Sequence, residues 1–294
     1  MRRPDGRLLI RRHLPLILLA TFALSQSGCA AIMGKVTSGV ADSLTAAVLA
    51  QDDPELVRDG APAYLIALDG MIEGDPDNLD LLISGASLYG SYATAFVEDP
   101  ERGARLATRA RGYGDRAICV RKKGFCGLSD LPYDEFVAKL QEARKKDLPA
   151  LYSYGSAWAG WIQANSADWG AIADLPKVQA VMEKVIELDD VYADGEAHLY
   201  LGVLYTLRPA SLGGQPDRGQ KAFERALEIS NRRNLYAHVM YAKQYARLVF
   251  DEELYNELLL EAIEADPVEP GLTLINTIAQ QQAAELLVDG EDYF

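Results

Sequence analysis

The residues best suited to build a binding site crowd one short stretch of the chain: Tyr152, Tyr154, Trp158, Trp161, Asn165 and Trp169. From Tyr154 to Trp169 the steps are three or four residues, which places these side chains near one face of a helix. Such a stripe commonly fills a core. Three tryptophans so close nonetheless exceed what one helix needs for packing, and apolar walls carrying a few polar groups are how small-molecule pockets are made. Tyr154, Trp158, Trp161 and Asn165 are therefore candidate ligand contacts, with Asn276 and Gln280 near the C-terminus as further amide partners.

The histidines are His13, His198 and His238. His198 and His238 each precede a small residue, Gly202 and Ala242, by four positions, where a large side chain usually fills a helix hairpin. A packed core histidine is one reading and a ligand contact the other; His198 is kept as a candidate together with Tyr205, two turns further on. Catalytic signatures are missing: there is no nucleophile elbow and no His-Glu-x-x-His. Gly213-Gly214 runs into Gln215-Pro216 rather than a Lys-Ser or Lys-Thr phosphate loop. The chain reads as a binding protein and not an enzyme, with no cofactor and no metal expected.

A formal net charge of -14 repels phosphate backbones, and the basic runs Arg121-Lys122-Lys123 and Arg144-Lys145-Lys146 are short enough to be solvated helix ends. Nucleic acid is not an expected partner. With 49% hydrophobic residues over 294 positions, the chain can bury a substantial core.

At the N-terminus, Arg2, Arg3, Arg7, Arg11 and Arg12 precede the apolar stretch Leu14 to Leu24, the pattern of a secretory signal. It ends at Ser27-Gly28-Cys29-Ala30, which resembles a bacterial lipobox, although Gln26 stands where an aliphatic residue is favoured. Residues 1–28 are thus expected to be a lipoprotein signal peptide and 29–294 a single domain, with Cys29 the lipidated N-terminus. The mature chain would be a membrane-anchored lipoprotein of the bacterial periplasm. Ala30, not an aspartate, follows the lipid site, which under enteric sorting favours the outer membrane. Cys119 and Cys126 remain as an even pair in an oxidising compartment and can form a disulfide, Gly124 letting the chain fold back between them; a zinc site is the weaker alternative.

The elements that must position these residues are helices. Apolar residues recur at spacings of three and four, as in Phe223, Ala226, Leu227 and in Leu254, Leu258, Leu259, Ala262, and no long run alternates with period two. Faint repeats of tetratricopeptide type emerge. Leu201-Gly202 and Tyr205 are followed by Gly219, Phe223 and Ala226-Leu227; Gly85-Ala86 and Tyr89 by Gly103, Ala107 and Ala110. In both copies the small residue of the first helix precedes that of the second by 17 positions. Tyr241-Ala242 with Tyr245, and Tyr154-Gly155 with Trp158, open two further copies. Tyr64, Leu68 and Met71-Ile72 look like a second helix whose partner would cover Lys35 to Ala50. The expected fold is all-α, an array of about four degenerate hairpins capped by a helix from Gly271 to Val288.

Over most of the mature chain, and most strongly from Leu175 to Ala279, the sequence resembles the T component associated with tripartite ATP-independent periplasmic (TRAP) transporters. The residues that carry this are Gly195-Glu196-Ala197-His198-Leu199, the stretch LGVLY, the turn Arg208-Pro209-Ala210-Ser211-Leu212-Gly213-Gly214, and Leu274-Ile275-Asn276. The turn around Pro209, Gly213 and Gly214 is the most specific. The resemblance implies a periplasmic homotrimer that works beside a substrate-binding P component, with a cleft or pore for a small ligand, apolar ligands included. The competing reading is a tetratricopeptide-like scaffold for protein-protein interaction in the cell envelope.

Overall fold

The computed structural model describes residues 43–294; the signal segment and Cys29 lie outside the described residues. The described chain is all-α, without a strand. In order it contains α1 (43–49), α2 (Pro54–Gly74), α3 (Leu79–Phe96), α4 (Pro100–Arg121), α5 (Tyr133–Leu140), α6 (Leu148–Ala164), α7 (Trp169–Ile172), α8 (Leu175–Leu188), α9 (Glu196–Thr206), α10 (Pro216–Ile229), α11 (Leu235–Tyr241), α12 (Arg247–Val249), α13 (Glu252–Glu264) and α14 (Thr273–Tyr293). A π-helical turn, Ala242–Ala246, joins α11 to α12.

Short polar residues start the helices. Asp53 accepts from the backbone N–H groups of Glu55 and Leu56, Asp99 from Arg102, Asn234 from Ala237 and Asp251 from Leu254. Pro54, Pro100 and Pro216 occupy first-turn positions, where a missing N–H costs nothing. Pro62, by contrast, sits inside α2 and leaves the Arg58 carbonyl without its helical donor. The Tyr92 hydroxyl of α3 donates to that carbonyl at 3.2 Å and repairs the gap.

Successive helices pack on one another, α3 on α4, α4 on α6, α6 on α8, α8 on α9 and α9 on α10, as a hairpin array requires. Small residues permit the closest approaches. A methyl group on Gly202 would lie 2.8 Å from the Phe223 ring, and one on Gly155 would lie 2.7 Å from Val181. The two copies with matched 17-residue spacing differ here: Gly219 presses on Thr206 and the Gly202 carbonyl, whereas Gly103 meets only Val97, at 4.0 Å.

Two features exceed the sequence expectation. Residues 122–147, between the expected hairpins, form short 3-10 turns and α5, whose Phe136 and Leu140 enter the main core. The last helix also runs past Val288 to Tyr293, because Gly290 lets the Tyr255 ring approach and the Tyr255 hydroxyl donates to the Leu286 carbonyl at 2.6 Å. At its other end α14 returns to the start of the array, where Leu274 and Ile278 bury against Val57 of α2. The two ends of the helix array therefore touch.

Candidate functional site

A cleft of about 340 Å³ opens between α8, α9 and α10. Its floor is apolar, made by Ile186, Leu201 and Ala222; its rim carries Glu183, His198, Tyr205, Arg218, Lys221 and Arg225. In a strongly acidic protein this concentrates cationic side chains. The hydroxyl of Tyr205 donates to Glu183 at 2.7 Å, Arg218 donates to both that carboxylate (3.1 Å) and the phenol oxygen (2.5 Å), and its guanidinium lies over the Tyr205 ring at 4.1 Å. Burial and the Glu183 carboxylate push the Tyr205 phenol well above its usual range, so it stays a donor.

The opposite rim is held by Asp190. It accepts from Arg225 at 2.5 Å and from His198 Nε2 at 2.8 Å, when that nitrogen carries the proton. The Arg225 guanidinium, with His198 behind it, holds the Asp190 carboxyl below the usual carboxylate range. Lys221 is exposed and has no ion pair among the described residues.

The turn that shapes the cleft explains its glycines. Gly213 adopts φ +83°, and a methyl group on Gly214 would lie 1.6 Å from the Arg208 carbonyl oxygen. The Gly214 N–H donates to the Pro209 carbonyl and Gln215 N–H to Tyr205, which ties the turn to the end of α9 and sets α10 across it. Pro209 begins the turn in an extended conformation.

Of the residues singled out from sequence, His198 and Tyr205 meet in this cleft. Tyr154 and Trp158 instead lie in the main core, Trp158 fully buried against Phe136. Among the described residues the Trp158 indole N–H has no hydrogen-bond partner. Trp161 is half-buried, and its indole donates to Thr108 at 3.2 Å. Between the Trp158 and Trp161 rings lies the Arg111 guanidinium, 5.0 and 4.0 Å from their centres. Asn165 ends α6 and donates to the Trp161 carbonyl at 2.8 Å, so the helix stops and Trp169 begins α7 with 85% of its surface exposed. The expected single stripe is thus two separate elements. Asn276 is wholly buried: it accepts from Leu235 N–H and donates to the carbonyls of Arg233 and Pro267, fastening α11 to α14. Gln280 donates to the carbonyls of Ala262, Ile263 and Ala265, closing the end of α13. Cys119 and Cys126 are joined, their Cα atoms 4.4 Å apart.

Sequence reasoning missed Glu183, Arg218, Lys221 and Arg225. No motif marks them, because each is one polar residue on the outer side of an amphipathic helix. The one available signal was positional: Tyr205 and Tyr89 both stand three residues after a small residue, and both reach an acid on the preceding helix. Tyr89 donates to Asp69 at 2.8 Å, and Arg109 pairs with that carboxylate while lying 5.5 Å over the Tyr89 ring. A smaller cleft of about 260 Å³ opens there, between α2 and α4.

A protein of Treponema pallidum (strain Nichols), described only as uncharacterized, is 22% identical over 263 residues, which cover 83% of this chain and 81% of its own. The family model described as TRAP transporter T-component matches residues 50–294, the whole helical array from the end of α1 to the C-terminus, and the chain therefore belongs to the TRAP transporter T-component family.

Proposed function

We propose that this protein is a lipid-anchored periplasmic T component that binds a small ligand in the cleft between α8, α9 and α10 and docks the substrate-binding P component of a TRAP-type uptake system. The family match over residues 50–294 carries the proposal. The cleft supplies what a small-molecule site needs: an apolar floor of Ile186, Leu201 and Ala222, and a few fixed polar groups at its rim. A ligand's apolar part would lie on that floor, with its polar end between His198 and Lys221.

No group in the cleft is arranged as a nucleophile with its base. The His198 ring faces Asp190 and the Tyr205 phenol faces Glu183, and each is engaged in a contact that orders the rim. The proposed role is binding. Anchoring through Cys29 and assembly as a homotrimer complete the proposal.

Native mass spectrometry of the purified protein tests the ligand. A co-purified small molecule that is lost in a Leu201→Trp variant, with the helical circular dichroism unchanged, is the expected result. Retention of the molecule when the cleft is filled in this way would place its binding elsewhere.

A further inference from the structure

Among the described residues, two groups join tyrosine, a carboxylate on a neighbouring helix and an arginine: Tyr205 with Glu183 and Arg218, and Tyr89, joined by Tyr113, with Asp69 and Arg109. In a third place the cation is missing. Tyr152 of α6 donates to Glu196 at the first position of α9, and Tyr192 and Tyr200 flank Tyr152 edge-on, with ring centres 5.7 and 6.3 Å away. Tyr236 of α11 lies within electrostatic reach of Tyr200. All five residues are partly buried, so the Glu196 carboxylate is shielded from bulk water without being sealed from it.

No lysine or arginine forms an ion pair with Glu196 among the described residues, and the charge that acts on it is a second acid, Asp194. The first turn of α9 offsets part of that charge through its free N–H groups, and Tyr152 supplies one hydrogen bond. Desolvation still raises the Glu196 carboxyl above its usual range. Tyr241 also meets a carboxylate, Glu224, but that one is exposed to water and needs no partner. Aromatic rings arranged around a desolvated carboxylate attract a cation by both ring quadrupole and charge.

We infer that Tyr152, Tyr192, Glu196, Tyr200 and Tyr236 form a binding site for an organic ammonium ion, which takes the place that Arg218 and Arg109 fill in the other two groups. The site is separate from the cleft at Tyr205 and does not depend on it. Glu196 carries the charge recognition, while the tyrosine rings enclose the alkyl groups and exclude anions.

Calorimetric titration of the purified protein with choline and hexylammonium, each against its uncharged counterpart 3,3-dimethylbutanol or hexanol, tests this. At least one cation should bind saturably and roughly tenfold more tightly than its counterpart. In Glu196→Gln, with the fold verified by circular dichroism, that preference should vanish. Equal affinity for charged and uncharged probes in the wild-type protein would overturn the inference while leaving the Tyr205 cleft untouched, and this comparison holds even if the variant does not fold. Absence of binding by both cations would overturn it as well.

Discussion

The Tyr205 hydroxyl donates to Glu183 at 2.7 Å while Arg218 covers the same ring at 4.1 Å, so one phenol links α8, α9 and α10. The group joins two hairpins rather than the helices within one, and Tyr89 does the same between α2, α3 and α4 through Asp69 and Arg109. It makes the stacking of neighbouring hairpins directional, because an apolar contact alone would tolerate sliding. Tyr205→Phe should destabilise the protein by about 1 kcal/mol, since Glu183 is half open to water and regains a solvent partner. A double-mutant cycle with Glu183→Gln, followed by urea denaturation, should give a coupling energy of comparable size; strict additivity would mean that the contact does not contribute.

The two adjacent glycines of the turn predict unequal costs. Ala at position 213 has open space and suffers only from φ +83°, a penalty of roughly 1 kcal/mol. Ala at 214 meets the Arg208 carbonyl at 1.6 Å, so the turn must move, at about 1–3 kcal/mol or more. Thermal melts of Gly213→Ala and Gly214→Ala should show the larger shift for the second. The second variant should also lose ligand retention, because the turn sets α10 against the cleft.

His238 is buried, and burial lowers its pKa below the ordinary value of 6.5. The unfolded chain therefore binds the proton more readily, so the stability tied to neutral His238 is full above pH 6.5 and is lost as pH falls from there toward the folded-state value. Glu261 at 3.4 Å and Arg232 act in opposite directions and leave burial dominant. Glu196, whose carboxyl is raised, contributes with the opposite sign over the acidic range. The clean readout is a difference: urea midpoints of wild type and His238→Gln should converge as pH falls from 7.5 to 5.5. A constant gap would show that His238 does not titrate differently in the folded chain.

The Cys119–Cys126 bond closes a short loop, with a sequence separation of 7, between the end of α4 and the 122–147 segment. The loop-closure argument gives about 2 kcal/mol for so small a ring. Reduction should lower the melting temperature by several degrees and expose Phe125 and Leu128, which sit in the main core beside the bond. Dye binding to apolar surface before and after reduction measures this.

The helices were legible because apolar spacing and capping residues are local: Asp99-Pro100 and Gln215-Pro216 announce α4 and α10 without any tertiary knowledge. The Gly213-Gly214 turn was legible for the same reason. What the sequence could not reveal is which polar residue of one helix meets which of another. Arg111 lies between two tryptophans some fifty positions away, and Asn276 reaches across to α11, yet neither carries a local pattern. The Tyr154 to Trp169 stripe misled because Asn165 ends the helix on which it was drawn. Helix α5 escaped because it is only 8 residues long, too short for the apolar spacing of Phe136, Val137 and Leu140 to repeat.

The central claim is partnership with a TRAP substrate-binding protein, and equilibrium association between the purified chain and a TRAP P component of the same organism measures that most directly. Saturable binding at tens of micromolar or tighter is predicted, weakened by salt if the rim residues Lys221 and Arg225 take part. No association at those concentrations, with both proteins folded and the P component loaded with its substrate, would contradict the account.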